Sequence, residues 1–322
     1  MTLLLSIVLV AAGIGILTAG GEALVRGAVS LARLARVSTA VIGLTIVALG
    51  TSMPELAVSL LAALEGRGDI AIGNVVGSNI FNVAVIVGIA ALVFPLAVHM
   101  TAVKIEWPFM ITATFMCILL ARDGALDRTE AVFFVVALAA FTAYMVRLAR
   151  LETTDADRRE LEDSLAGKFV RPRRHQLAVD LGVVLLGVVL LVVGARVLVV
   201  GAVRIAGLAG LSDRIIGLTI IAAGTSMPEL ATSLVAARRG QADIALANVI
   251  GSNIFNLFGI LGVVALVTPQ AVHPRIGAVD MWWMFGTSLV LFPLMRSGFR
   301  VSRLEGMVLL LAYGVYVGLF LR

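Results

Sequence analysis

Two stretches of this chain place carboxylate, hydroxyl and amide oxygens inside segments that are otherwise apolar. "GTSMPEL" runs from Gly50 to Leu56 and again from Gly224 to Leu230. In each copy a glutamate follows a threonine by four positions, Thr51 with Glu55 and Thr225 with Glu229, so both side chains share one helix face. Ser52 and Ser226 stand beside them. Pro54 and Pro228 have no N–H for the carbonyls of Gly50 and Gly224, and their rings press on the preceding turn. Carbonyls around Ala48–Gly50 and Ala222–Gly224 are therefore expected to leave the helix ladder. At mid-membrane depth that is tolerated only where backbone lines a polar cavity or coordinates something. Downstream, "GNVVGSNIFN" spaces Asn74, Ser78 and Asn82 by four, and its copy "ANVIGSNIFN" does the same with Asn248, Ser252 and Asn256.

Carboxylate, hydroxyl, amide and carbonyl oxygens together suit a hard cation such as Ca2+ or Na+. Zinc or copper would call for imidazole or thiolate. The single cysteine, Cys117, lies among apolar residues, and His99, His175 and His273 fall at span ends or in a loop. Ser78, Asn82, Ser252 and Asn256 read as ligands because their stripe can face the broken helix. Asn74, Asn79, Asn248 and Asn253 read as interhelical hydrogen-bonding groups, with Gly73 and Gly77 as a GxxxG packing pair. Zincin or serine-hydrolase signatures are missing, which argues against an intramembrane hydrolase built on the two glutamates and against any enzyme.

The elements that must hold these groups are membrane helices. The chain has 322 residues, is 60% hydrophobic and 14% charged, and has a mean hydropathy of +1.06. No soluble core hides that much apolar surface, so the bilayer is the solvent. The net charge of +5 is spread over loops, which fits membrane orientation and not nucleic-acid binding. Apolar runs of about 20 residues predict ten spans. They fall near 3–24, 39–64, 70–94, 107–121 and 129–146, then 177–200, 215–237, 244–267, 281–295 and 304–321. Gly43 and Gly217, Thr51 and Thr225, and His99 and His273 all stand 174 positions apart, and the alignment between them has no gap. The fold class is therefore an all-α membrane protein of ten transmembrane helices in two inverted five-helix repeats, since an odd number of spans turns the second copy over.

The first repeat covers residues 1–150 with its motifs in about 43–99, and the second covers 177–322 with its motifs in about 217–273. A charged loop, 151–176, joins them. Arg238 and Arg239 replace Leu64 and Glu65 in an otherwise preserved stretch, which places the second copy of that loop in the cytoplasm and the first outside. The central loop then lies in the cytoplasm and both termini lie outside, in a plasma (cell inner) membrane. Glu22 and Arg26 are four apart and pair locally, while Arg196 holds the position equivalent to Glu22. Trp107, Trp282 and Trp283 sit where interface anchors do.

The paired "GTSMPEL" and "GNVVGSNIFN"/"ANVIGSNIFN" motifs resemble the α-repeats of the calcium/cation antiporter superfamily, in its prokaryotic sodium/calcium exchanger branch. The likeness extends over nearly the whole chain. It implies Na+/Ca2+ antiport by alternating access, with cation sites between the second, third, seventh and eighth helices and with the first and sixth helices sliding across that core. By motif position it implies side-chain ligands at Thr51, Ser52, Glu55, Ser78 and Asn82, and at Thr225, Ser226, Glu229, Ser252 and Asn256. It further implies backbone carbonyl ligands at Ala48 and Ala222. Some exchangers carry Asp where this chain has Asn256. The proton-coupled branch adds an acid after its Gly-Asn motif, where Val75, Val76, Val249 and Ile250 stand here. Expected partners are Ca2+ and Na+ as substrates and the lipid bilayer, with no cofactor, nucleic acid or obligate protein partner. The alternatives are a K+-dependent or H+-coupled antiporter and, further off, a passive cation channel.

Overall fold

The computed structural model describes residues 3–35, 37–152, 173–209 and 222–320. Helices dominate: α1 Leu3–Ala35, α2 Thr39–Thr51, α3 Met53–Leu64, α4 Gly68–Val93, α5 Ala102–Asp123 and α6 Arg128–Glu152. The second half has α7 Arg173–Leu208, α8 Ala222–Thr225, α9 Met227–Arg238, α10 Ala242–Val267, α11 Ile276–Arg296 and α12 Arg303–Phe320. Among the described residues seven helices are long and apolar enough to cross a membrane, and the pair α2 and α3 makes an eighth span bent by 44°. The first turns expected of the matching span, 215–221, lie outside the described residues, as does nearly all of the charged loop 151–176.

The bend between α2 and α3 falls at Ser52 (φ −83°, ψ 8°), with Pro54 in the first turn of α3. Proline is tolerated there because the N–H groups of a first turn lack helical partners anyway. One expectation changes. The Ala48 carbonyl is not released, since it accepts the Ser52 N–H at 3.0 Å and the Thr51 hydroxyl at 3.3 Å. α4 and α10 are the most enclosed spans, each 83% buried along its most apolar stretch. Apolar surface on all sides is what a helix inside a bundle requires. Both contain a π-helical turn, Asn82–Val87 and Phe255–Ile260, beginning at or one residue before the terminal asparagine of the polar stripe. Such turns widen the helix locally and gather at functional sites.

α1 and α7 are longer than the apolar runs 3–24 and 177–200 foretold. α1 has 33 residues and α7 has 36. At 1.5 Å per residue each exceeds about 45 Å, more than the ~30 Å hydrocarbon layer. They pack along a glycine seam. A Cβ at Gly13, Gly20 or Gly27 would lie 2.6–2.8 Å from Leu198, Leu191 or Val184, and one at Gly187, Gly194 or Gly201 would lie 2.6–2.8 Å from Leu24, Leu17 or Ser6. As one number rises its partner falls, so the helices run antiparallel, and the seven-residue spacing keeps the seam in register along both. By contrast the GxxxG pair expected at Gly73 and Gly77 is no such contact. A Cβ at Gly77 meets nothing within 4 Å.

Short strands tie the halves at their ends. Leu96–Ala97 pairs antiparallel with Arg300–Val301, and Ala125–Leu126 pairs with Gln270–Ala271. Trp107 is less an interface anchor than a brace, donating its indole N–H to the Ser288 carbonyl at 2.7 Å and packing on Phe292. Cys117 is fully buried in the core.

Candidate cation site

Glu55 and Glu229 each stand in the first turn of a helix that starts just after the break at Ser52 or Ser226, and both are 0% exposed. Their partners come from the opposite half. The Ser226 hydroxyl donates to Glu55 Oε1 at 2.9 Å, and the Ser52 hydroxyl donates to Glu229 Oε1 at 2.8 Å. Thr51 Oγ1 donates to Asn248 Oδ1 at 3.3 Å, and Thr225 Oγ1 donates to Asn74 Oδ1 at 3.5 Å. The Asn82 amide N–H donates to Asn253 Oδ1 at 3.0 Å, and that of Asn256 donates to Asn79 Oδ1 at 3.4 Å. Every one of these bonds between the halves has its counterpart 174 positions along the chain.

A second layer holds the first. Asn74 Nδ2 donates to the Ser59 hydroxyl at 2.9 Å and to the Glu55 carbonyl at 3.2 Å, while Asn248 Nδ2 donates to Ser233 at 3.2 Å. Ser59 and Ser233 in turn donate to the carbonyls of Ala71 and Ala245. The interhelical bonding expected of Asn74, Asn79, Asn248 and Asn253 is therefore present. Two positioning roles lay beyond the sequence reading. Asn79 and Asn253 hold the amide nitrogens of Asn256 and Asn82, which turns the opposite oxygens away from them. Ser59 and Ser233 anchor the asparagines, and the only available signal was their identity in both copies.

Six of the ten ligand-type side chains keep an oxygen without a partner. Glu55 Oε2, Glu229 Oε2, Asn82 Oδ1, Asn256 Oδ1, Ser78 Oγ and Ser252 Oγ are buried and have no hydrogen-bond partner. Among the described residues no Lys or Arg pairs with either glutamate. Buried acceptors without donors cost roughly 1–3 kcal/mol each, and more when charged, unless something cationic meets them. Thus Thr51, Ser52, Glu55, Asn82 and Ser78 are gathered with Ser226, Glu229, Asn256, Ser252 and Thr225 around the contact of α3 and α9 with α4 and α10. Ala48 and Ala222 end up in the short helical turns just before the bends. Among the described residues no group of three His, Cys, Asp or Glu side chains is placed to hold a metal ion. What is assembled is mixed oxygen chemistry.

The family model described as sodium/calcium exchanger protein matches residues 5–147 and 179–322. A putative antiporter CaxA of Alkalimonas amylolytica is 38% identical over 97% of this chain and 97% of its own. The sodium/calcium exchanger MaX1 of Methanosarcina acetivorans is 33% identical over 95% of each chain. Among solved structures, the sodium-calcium exchanger NCX_Mj soaked with zero Na+ and Ca2+ superimposes with a TM-score of 0.83 at 28% identity, covering 100% of both chains. The chain belongs to the sodium/calcium exchanger protein family, a family of membrane-embedded, multi-pass cation antiporters.

Proposed function

We propose that the protein exchanges Na+ for Ca2+ by alternating access. Glu55 and Glu229 are the charged ligands, and Thr51, Ser52, Ser78, Asn82, Thr225, Ser226, Ser252 and Asn256 are the neutral ones. Carbonyls of Ala48 and Ala222 complete the set; that of Ala48 regains a free lone pair when the one Thr51 hydroxyl hydrogen turns from it to Asn248. The observation that carries this reading is the set of six buried, donorless oxygens, three from each half. Ca2+ takes six to eight oxygens in flexible geometry, and Na+ accepts the same donors. Two ionised carboxylates are neutralised by one Ca2+. Three Na+ in their place leave one positive charge over, so exchange moves net charge and responds to membrane voltage. Ca2+ uptake into Na+-loaded proteoliposomes tests the reading, with K+ and pH gradients varied separately. Uptake that requires internal Na+ but neither gradient is expected. Uptake that proceeds without Na+ indicates a leak, and uptake driven only by a proton gradient indicates the H+-coupled alternative.

The same reading takes the protein as ten spans in two inverted repeats in the plasma membrane, with both termini outside and the central loop cytoplasmic. Support comes from the antiparallel seam between α1 and α7, equivalent helices of the two halves. The exchange of Leu64 and Glu65 for Arg238 and Arg239 supports it too. In a Cys117→Ala background, Gly66→Cys and Arg239→Cys are expected to label from opposite faces of the membrane. Labelling of both from one face removes the inversion.

A further inference from the structure

Glu22 of α1 is bound from two sides. Arg26, one turn on, approaches its carboxylate at 3.0 Å, and Arg239, just past the end of α9, makes a bidentate pair with it. Here α1 lies against α9, with Gly21 over Ala231 and Val235. The equivalent positions in the other half are Arg196 on α7 and Glu65 just past the end of α3. Both charges are reversed, so this second pair is again Glu with Arg, yet it is not made. Among the described residues Arg196 has no ion pair, and Glu65 instead meets Arg67 at 3.3 Å. Nor does α7 lie along α3 as α1 lies along α9. The site shows the same asymmetry. Thr51 and Asn248, on the side of the site toward Arg239, are 0% exposed. Thr225 and Asn74, on the side toward Glu65, are half-buried.

We infer that Glu22–Arg239 and Glu65–Arg196 are reciprocal latches, one formed in each of the two access states. This rests on the alternating-access reading above. Equivalent halves that exchange conformations must exchange their contacts: when α1 leaves α9, α7 takes the matching place on α3. Each carboxylate keeps a local arginine while its latch is open, Arg26 for Glu22 and Arg67 for Glu65, so neither is left unpaired during the change. Exposed ion pairs are weak. That suits a contact that must break in every cycle, and it biases the balance of states without locking it.

Disulfide trapping in the Cys117→Ala background tests the proposal. Glu22→Cys with Arg239→Cys, and separately Glu65→Cys with Arg196→Cys, are oxidised in proteoliposomes with and without Na+ and Ca2+. Both pairs are expected to crosslink, each crosslink should stop exchange until reduced, and a variant carrying all four changes should form one bridge per molecule but not both. Adding Glu22→Gln to the Glu65→Cys, Arg196→Cys variant is expected to raise its crosslinking roughly two- to five-fold, the population shift available from one exposed pair. The charge-swapped Glu22→Arg with Arg239→Glu should return it to the starting yield. If the 65–196 pair never bridges while the 22–239 pair does, or if both bridge in the same molecule, the latch inference is overturned. A parent protein with no Na+-dependent Ca2+ flux would overturn the exchange reading instead. Crosslinking is scored on the chain itself and does not depend on flux.

Discussion

The centre of the bundle and its flanks treat the repeat in opposite ways. Around Glu55 and Glu229 the two halves are chemically identical and bind one another through matched pairs of hydrogen bonds. At the flank the halves differ: Glu22 holds Arg239, whereas Arg196 and Glu65 stay apart. Identity at the centre builds one site from two copies. On the latch inference, difference at the edge records which of two equivalent arrangements the chain has adopted. On the proposed reading, binding belongs to what the halves share, and conformational state to where they diverge.

The largest effect is expected at the shared centre. Glu55→Gln and Glu229→Gln each keep the side chain's shape but remove one of only two proposed charged ligands. Loss of a charge-assisted contact in a water-excluded site is worth about 3 kcal/mol, so exchange should fall about 100-fold in either variant. Equal losses sharpen the comparison. A strong loss in one variant only would break it. Stability comes next. Gly20→Val and Gly194→Val drive a side chain into the backbone across the α1–α7 seam and should each cost about 1–3 kcal/mol, read as a lowered melting temperature in detergent. Gly15→Val, where a Cβ meets nothing within 4 Å, should stay within about 0.5 kcal/mol of the parent. A smaller effect is expected at the asparagines that only orient ligands. Asn253→Ala leaves the Asn82 amide without its acceptor, and Asn79→Ala does the same to Asn256. Each should weaken apparent Ca2+ affinity about five-fold, the worth of one hydrogen bond near 1 kcal/mol, with little change in maximal rate. Affinity unchanged in both would mean the amide oxygens at 82 and 256 do not face the ions.

The centre was legible because its signal is local. A carboxylate and a proline inside an apolar run violate the ordinary rules for a membrane helix, and a second copy of the violation marks it as built. Polar stripes at spacings of four gave the facing helices directly. The extent of α1 was not legible, because Glu22, Arg26 and Arg33 gather where its apolar run, drawn as 3–24, gives out. In the fold the first two carry their own pairing and the helix continues to Ala35. The retained Ser52 bond to the Ala48 carbonyl was hidden for a different reason. Proline at position 54 removes the donor to Gly50, not to Ala48, and only the backbone path shows where the ladder stops. Arg239 on Glu22 joins residues 217 positions apart. No spacing rule reaches that far.

The central claim is that one ion cluster is made equally by both halves. Equilibrium binding of radioactive Ca2+ to the purified protein, titrated with Na+, tests it most directly in the parent, in Glu55→Gln and in Glu229→Gln. The account predicts a single Ca2+ per chain in the parent, displaced by Na+ with a Hill slope above one, and severe loss of binding in both variants alike. Two independent Ca2+ per chain, or a single-glutamate variant that keeps the parent's affinity, would contradict it.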